Sequence, residues 1–254
     1  MHRVALLALL LLAAPSLARS QEAPLLTVLP RAEQIRQLEV RADLHMLRKQ
    51  YPEAVDAYLQ AVRLDARNAV LLNKTGIALQ LFSRLNEARK YYERATKSDD
   101  GYAQAWNNLG TVYYGQKNYK KAIRFYREAL KWDASLAATH SNLGAALFAR
   151  RRFDEALREF ARAMELNPNI FLQHEGFGIL LQDTTVEDRA RFHFLVAKSY
   201  AQMNLPDQCL LFLRRALEYG FSAEEARRDP AFAALLEDSR FQELFAQPVP
   251  AMPR

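Results

Sequence analysis

The sequence predicts an all-α fold, a solenoid of repeated helix pairs that ends in short C-terminal capping helices. The main observation is that residues 103–136 and 137–170 are adjacent blocks of equal length, with small and aromatic side chains at matching positions. The same spacing continues backward through residues 69–102 and 35–68 without an insertion. A period of about 34 residues is typical of helical repeat arrays. We therefore expect four consecutive repeats with one common structure.

Within each block, the pattern predicts two antiparallel helices. Where two helix axes come close, only Gly or Ala fits between them, and larger residues fill the surrounding space. For the block 103–136, this places a first helix over residues 103–116 and a second over residues 119–132. The equivalent residues of the last two blocks are Gly110 and Gly144, Ala122 and Ala156, Tyr126 and Phe160, and Ala129 and Ala163.

These positions follow the motif of a known repeat family. The motif residues in this chain are Trp106, Leu109, Gly110, Tyr113, Ala122, Tyr126, Ala129 and, one block later, Pro168. With them the chain closely resembles the tetratricopeptide repeat family, and the resemblance implies a right-handed α-solenoid of helix-turn-helix repeats. The match is weaker in the first block, where Arg41 and Ala42 replace the Leu and Gly, and in the second, where Thr75 precedes Gly76.

The N-terminal residues 1–20 have the layout of a secretory signal peptide. A basic residue precedes an apolar run over residues 4–14, and small residues follow at Ala18 and Ser20. The run is too short for a comfortable bilayer span, and a retained hydrophobic anchor is the alternative interpretation. We expect an exported chain, periplasmic or extracellular, with no stable membrane span after processing. Residues 21–34 are interpreted as a lead-in to the repeats.

The repeat register is lost after residue 170. Residues 171–189 include many apolar side chains, and we expect an insertion loop that folds back on the array. Thr184 and Glu187 form a capping-box pattern that starts a new helix. Residues 190–222 then resume the spacing as a fifth, degenerate repeat.

The C-terminal residues 223–247 are predicted to form short helices that cover the end of the array, as the terminal units of a solenoid must. Residues 248–254 are predicted to be a disordered tail. The expected helix starts are Ser222 with Glu225, Asp229 with Pro230, and Ser239 with Gln242.

No combination of residues predicts catalysis, a metal site or a cofactor. The histidines are scattered and never stand at the i, i+4 spacing of a helical metal pair. Cys209, the single cysteine, stands where other repeats have Ala, and is interpreted as a small buried residue rather than a reactive thiol. The formal net charge is +6, and +4 without residues 1–20; this mild charge is spread among the helices, which argues against a nucleic-acid partner.

The family resemblance implies that the first helix of each pair lines a concave groove. Asparagine amides in such a groove offer a donor and an acceptor to a peptide backbone, and Tyr114 and Phe148 are predicted to anchor apolar side chains. The family's basic clamp for a C-terminal carboxylate is not matched, because Glu39 and Gln104 occupy two of its positions. The predicted peptide-binding residues are Asn73, Ile77, Asn107, Asn108, Thr111, Tyr114, Ser141, Asn142 and Phe148.

The predicted function is that of a protein–protein interaction scaffold, which binds a peptide or protein segment in the concave groove. The alternative is a self-associating structural or assembly factor of the cell envelope that acts through its ends or its convex face. An enzyme is not expected, because fold alone fixes no activity and no residues here support chemistry. The sequence leaves the oligomeric state open.

Overall fold

The computed structural model describes residues 29–173 and 185–246, and within these ranges every regular element is a helix. This confirms the predicted all-α fold. The signal peptide, most of the lead-in and the C-terminal tail of the predictions lie outside the described residues. The helices of the array are α1 (Arg31–Leu47), α2 (Tyr51–Leu64), α3 (Ala69–Leu81), α4 (Leu85–Ser98), α5 (Ala103–Gly115), α6 (Tyr119–Trp132), α7 (Ala137–Ala149), α8 (Phe153–Leu166), α10 (Val186–Gln202) and α11 (Pro206–Glu218), with a short α9 (Ile170–Gln173) after α8.

Consecutive helices pack as pairs, and each pair packs on the next. The close approach inside a pair depends on glycine and alanine. A Cβ atom added at Gly110 would lie 2.6 Å from the Tyr126 ring, and one at Gly144 would lie 2.5 Å from the Phe160 ring. A Cβ atom cannot approach a ring carbon this closely without a steric clash. The aromatic ring of the second helix therefore occupies the space that a side chain at the glycine would need. This explains why the Gly and aromatic positions repeat together.

The turn inside each pair has one repeated backbone geometry. Among the described residues, five that are not glycine adopt a left-handed φ of 55° to 63°, and each stands fourteen residues after the start of its repeat. In the fifth repeat, the backbone N–H groups of Asn204 and Leu205 donate to Ala201 and Tyr200, closing the last turn of α10. The fifth repeat therefore has the same joint as the first four. The left-handed residues are Lys49, Ser83, Lys117, Arg151 and Asn204.

The boundaries of the predicted insertion 171–189 differ from the structure at both ends. Residues 170–173 form α9, and α10 begins at Val186, so residues 174–185 separate the two helices; of these, residues 174–184 lie outside the described ranges. The helix cap is also one residue later than predicted. The side chain of Thr185, rather than Thr184, accepts a hydrogen bond from the backbone N–H of Asp188 at 3.0 Å. Two adjacent threonines fit the capping pattern equally well by sequence.

The C-terminal residues form α12 (Ala223–Arg228), a 3-10 helix (Pro230–Leu235) and α13 (Ser239–Ala246). Ser222 and Asp229 cap the first two elements, as expected from the sequence. At the third, the carboxylate of Asp238 rather than Ser239 accepts from the N–H of Arg240 at 2.9 Å. Phe232 and Phe241 are completely buried against the array. Across the part of the chain that the structure describes, no helix is both long and apolar enough to cross a bilayer.

Candidate binding groove

The first helices of the repeats lie side by side on one face of the molecule. Helix α3 contacts α5, and α5 contacts α7. Since helices on the inner side of a curved array lie closest together, the first helices line its concave side. We call the fifth, sixth, ninth and twelfth residues of each repeat the groove positions. In the third repeat these are Asn107, Asn108, Thr111 and Tyr114.

Asparagine side chains at the groove positions bond to one another across three repeats. The Asn108 amide donates to the Asn73 oxygen at 2.9 Å and accepts from Asn107 at 3.2 Å. The Asn142 amide donates to the Asn107 oxygen at 3.1 Å. This amide ladder (Asn73, Asn107, Asn108 and Asn142) links α3, α5 and α7, so these groups hold the groove together as well as lining it. Each amide has two N–H donors and an oxygen with two lone pairs. The hydrogen bonds of the ladder do not use all of these groups, so an amide can also bond a ligand.

The predicted site residues fall into two groups. Ile77, Asn107, Asn108, Thr111, Tyr114 and Asn142 are half-buried on the groove face, whereas Asn73, Ser141 and Phe148 are buried.

Phe148 is the largest correction to the predicted site. It was expected to anchor a ligand, but only 5% of its surface is exposed. Its ring packs edge-on to Phe192 of α10 at 5.8 Å and contacts Phe153 of α8 at 5.3 Å. Phe148 is therefore part of the hydrophobic core between the fourth and fifth repeats.

Tyr114, the other predicted anchor, stays at the groove face. Its ring meets that of Tyr119 edge-on at 5.2 Å between centroids. Burial raises the pKa of the Tyr114 hydroxyl well above its usual value, with a smaller contribution from Tyr119. The hydroxyl is therefore neutral at all physiological pH values and can act as a hydrogen-bond donor.

A cleft of about 430 Å³ between α1 and α3 was missed by the sequence analysis. Its apolar wall consists of Met46, Leu47 and Ile77, and Leu47 is 82% exposed. Only Ile77 among the wall residues was predicted. The sequence signal for the cleft is Met46, which stands at a groove position of the first repeat, where the family motif is weakest. The lining residues are Asp43, Met46, Leu47, Tyr58, Lys74 and Ile77.

The polar wall of this cleft is an ion cluster. The Lys74 ammonium lies 2.7 Å from a Glu39 oxygen and 2.9 Å from Asp43 Oδ2. The Tyr58 hydroxyl donates to Asp43 Oδ1. Burial disfavours the charged form of Lys74, but its hydrogen bonds to Glu39 and Asp43 outweigh burial and raise its pKa. Burial, and then the neighbouring Asp43, raise the pKa of Tyr58, so the phenol stays neutral.

The groove positions of the fifth repeat are already covered by the chain itself. The Phe194 ring stacks on Phe221 at 4.0 Å between centroids and contacts Phe232 at 5.7 Å. The Lys198 ammonium lies 2.7 Å from the Asp229 carboxylate. Residues 221–232 therefore lie where a ligand of the fifth repeat would lie. The open part of the groove belongs to repeats one to four.

Chemically reactive groups are not gathered in this groove. Within residues 29–173 and 185–246, no three His, Cys, Asp or Glu side chains are placed to hold a metal ion. Cys209 is buried, and burial raises the pKa of its thiol to about 12, so the thiol is inert at neutral pH.

Sequence comparisons agree with the repeat geometry. Residues 74–137 and residues 137–170 each match a family model described as tetratricopeptide repeat. A protein of Aspergillus fumigatus named as a heat-shock protein cognate co-chaperone, sgt12, is 30% identical over 77 residues. That match spans 30% of this chain and 23% of the fungal protein, so this chain spans about a quarter of the length of that relative.

Solved structures of the protein MamA are similar to this chain in fold. One is 18% identical and superposes with a TM-score of 0.52, covering 77% of this chain and 94% of MamA. A second is 18% identical with a TM-score of 0.50, covering 70% and 93% of the two chains. Identity at this level shows the fold alone. Residues 74–170 therefore match tetratricopeptide repeat models, and the consecutive helix pairs have the same fold as the MamA structures.

Proposed function

We propose that this chain is a protein-interaction scaffold that binds a segment of another protein in the concave groove of repeats one to four. The observation that most favours this function is the arrangement at the fifth repeat. There the groove positions Phe194 and Lys198 hold a short segment of the chain itself, through aromatic packing on Phe232 and an ion pair with Asp229. The same positions of the preceding repeats are lined by half-buried side chains that such a segment could contact.

The groove would bind by rigid display. The amide ladder and the packed helix pairs fix the positions of the recognition groups, so the receptor loses little conformational freedom when a ligand binds. Tyr114 and Ile77 offer half-buried apolar contact, and the amides of Asn108 and Asn142 bond the ligand backbone and fix its direction. The fungal relative is named as a co-chaperone, a protein that acts with another protein, which favours the same class of function.

The proposal is tested by selecting peptides from a random dodecapeptide library on the full chain. Selected peptides are then measured against a variant in which Asn108, Asn142 and Tyr114 are replaced by Ala. We expect the variant to bind at least about tenfold more weakly, because it loses two hydrogen-bonding groups and an aromatic contact. Lys120→Ala, an exposed change on the second helix α6, is the matched control.

Circular dichroism melting must show that the triple variant is folded. A failure of the library to yield any enriched sequence, or equal affinity of the folded variant and the wild type, would contradict binding in this groove.

Self-association through the N-terminal end is the second candidate. Leu44 on α1 is 48% exposed, while the equivalent Ala78, Val112 and Ala146 are buried against the preceding pair. A second molecule packed on this end would bury Leu44, as the preceding helix pair does for the equivalent residues. Sedimentation velocity of the wild type beside Leu44→Ser separates the two functions. A dimer that the substitution dissociates favours assembly, and a concentration-independent monomer favours the receptor.

We further propose that the chain is an exported, bacterial-type member of the family and acts in the periplasm or outside the cell. The apolar run and the small residues within positions 1–20 support this location. Expression in a bacterial host followed by N-terminal sequencing of the periplasmic fraction is the test. An N-terminus near residue 19 or 21 is expected, and an uncleaved cytoplasmic product would contradict the proposal.

A further inference from the structure

We infer that the cleft between α1 and α3 binds a large apolar side chain of the partner segment, and that the partner carries a Lys or Arg next to it. This inference rests on the proposed function, and it adds the chemistry of the ligand.

The wall of the cleft is suited to an apolar side chain of the ligand. Met46, Leu47 and Ile77 face a space of about 430 Å³. Leu47 leaves 82% of its surface exposed. Single exposed apolar residues are common on protein surfaces. Here Leu47 borders a cleft together with Met46 and Ile77, and a bound apolar side chain would bury it.

The negative charge of the ion cluster is suited to a basic residue of the ligand. Glu39 and Asp43 carry two negative charges and Lys74 carries one positive charge, so the ion cluster has a net charge of about −1 at neutral pH. The Tyr58 hydroxyl donates a hydrogen bond to Asp43 and adds no charge, because the phenol stays neutral. Arg36, also on α1, is paired with Glu33 at 2.9 Å.

Asp43 is the group that a cationic ligand would meet. Its side chain is 44% exposed and lines the cleft beside the apolar wall. A carboxylate has about four acceptor sites, and Lys74 and Tyr58 do not use all of them. A guanidinium or ammonium on a residue next to the inserted apolar side chain therefore finds a charged acceptor, while a carboxylate there is repelled. The groove of repeats three and four, with its neutral amides, has no such preference.

The test uses the peptides selected from the dodecapeptide library on the full chain. We expect enriched sequences to contain Leu, Met, Phe or Ile adjacent to Lys or Arg. In a synthetic copy, Ala in place of the apolar residue should weaken binding at least about tenfold, and Glu in place of the basic residue about three- to tenfold or more. On the protein, Leu47→Ser should weaken binding about tenfold, and Asp43→Asn should abolish the preference for a basic over a neutral peptide residue.

Matched controls lie outside the cleft. Asp56→Asn removes an exposed carboxylate on α2, and Leu211→Ser removes a partly exposed apolar side chain on α11. Asn at position 43 keeps an oxygen for the Tyr58 hydroxyl, so the variant is expected to fold, as melting followed by circular dichroism will check.

Three results would overturn the inference, and they are distinguishable. Enriched peptides that the cleft variants bind normally, but that Asn108→Ala with Asn142→Ala binds weakly, leave the groove in place and exclude the cleft. A dimer of the full chain that Leu47→Ser dissociates makes a second copy the occupant. A library that yields no enriched sequence contradicts the proposed function itself.

Discussion

The same groove positions are open at the N-terminal end of the array and covered at the C-terminal end. In the first repeat, Asp43 and Met46 border an open cleft, and Leu47 beside them is largely exposed. In the fifth repeat, Phe194 and Lys198 are covered by residues that follow in the chain. The repeat geometry is shared, down to the left-handed joint after each first helix. Whether a groove position is open or covered therefore depends on the segment next to the repeat and not on the repeat itself.

The largest expected effect is at the covered end. Phe232→Ala removes a completely buried ring that packs on Phe194, and we expect it to lower the free energy of unfolding by about 3–5 kcal/mol. Urea denaturation followed by circular dichroism measures the loss. A change below about 1 kcal/mol would mean that the C-terminal segment does not pack on the fifth repeat as described.

A pH-dependent loss of stability is also expected at the covered end. His193 of α10 is buried beside Tyr219, and burial, with the nearby Arg215 and Arg189, lowers its pKa from 6.5 to about 4. The unfolded chain therefore binds a proton that the folded chain does not as the pH falls below about 6.5. Protonation of His193 in the unfolded chain should lower the free energy of unfolding by on the order of 3 kcal/mol between pH 7 and pH 4.

The measurement is the stability of wild type and His193→Phe between pH 7.5 and 4. Phenylalanine keeps the aromatic packing and cannot bind a proton, so the variant should lose less stability than the wild type over this range. Carboxylates that titrate in the same range affect both proteins equally. Parallel curves would show that His193 is not the group responsible.

The middle of the groove should show a smaller effect. Asn108→Ala breaks two rungs of the amide ladder, to Asn73 and to Asn107, and should cost about 1–2 kcal/mol of stability. Gln104→Ala, an exposed change on the same helix, is the control and should be near neutral. If the two variants were equally stable, the ladder would have no role in holding the first helices together.

The smallest effect is expected at the open end. Leu47→Ser should change the free energy of unfolding by less than about 0.5 kcal/mol, because the side chain is mostly in water in the free protein. Differential scanning fluorimetry beside Phe232→Ala gives the direct comparison of the two ends. A clear destabilisation by Leu47→Ser would indicate that Leu47 is covered in solution, by another molecule or by another part of the chain.

The fold was predictable because its determinants are local and periodic. Gly110 and Tyr126 lie in one repeat, and the same pair recurs as Gly144 and Phe160, so the packing of a helix pair can be inferred from spacing alone. The fate of Phe148 could not be inferred in this way. The ring that covers it, Phe192, lies beyond the interruption of the register, and the sequence does not show which groove residue it will meet.

The chemistry of the groove was only partly predictable for a related reason. The sequence identified the asparagines, but their bonds to one another depend on the distance between successive first helices. The cleft at the first repeat needs Asp43 and Lys74 from different helices, and their ion pair exists only in the folded array. Contacts that recur inside every repeat could be assigned from the sequence, and bonds between side chains of different repeats could not.

The joints between the paired helices have a consequence for the history of the chain. Lys49, Ser83, Lys117, Arg151 and Asn204 differ in size and charge, yet each makes the same left-handed bend at the same place. A segment cut at two such joints begins and ends with identical backbone geometry, so a gene rearrangement that deletes or duplicates it leaves every remaining bend unchanged. The length of the molecule can therefore change in whole units by recombination, without selection having to design a new connection.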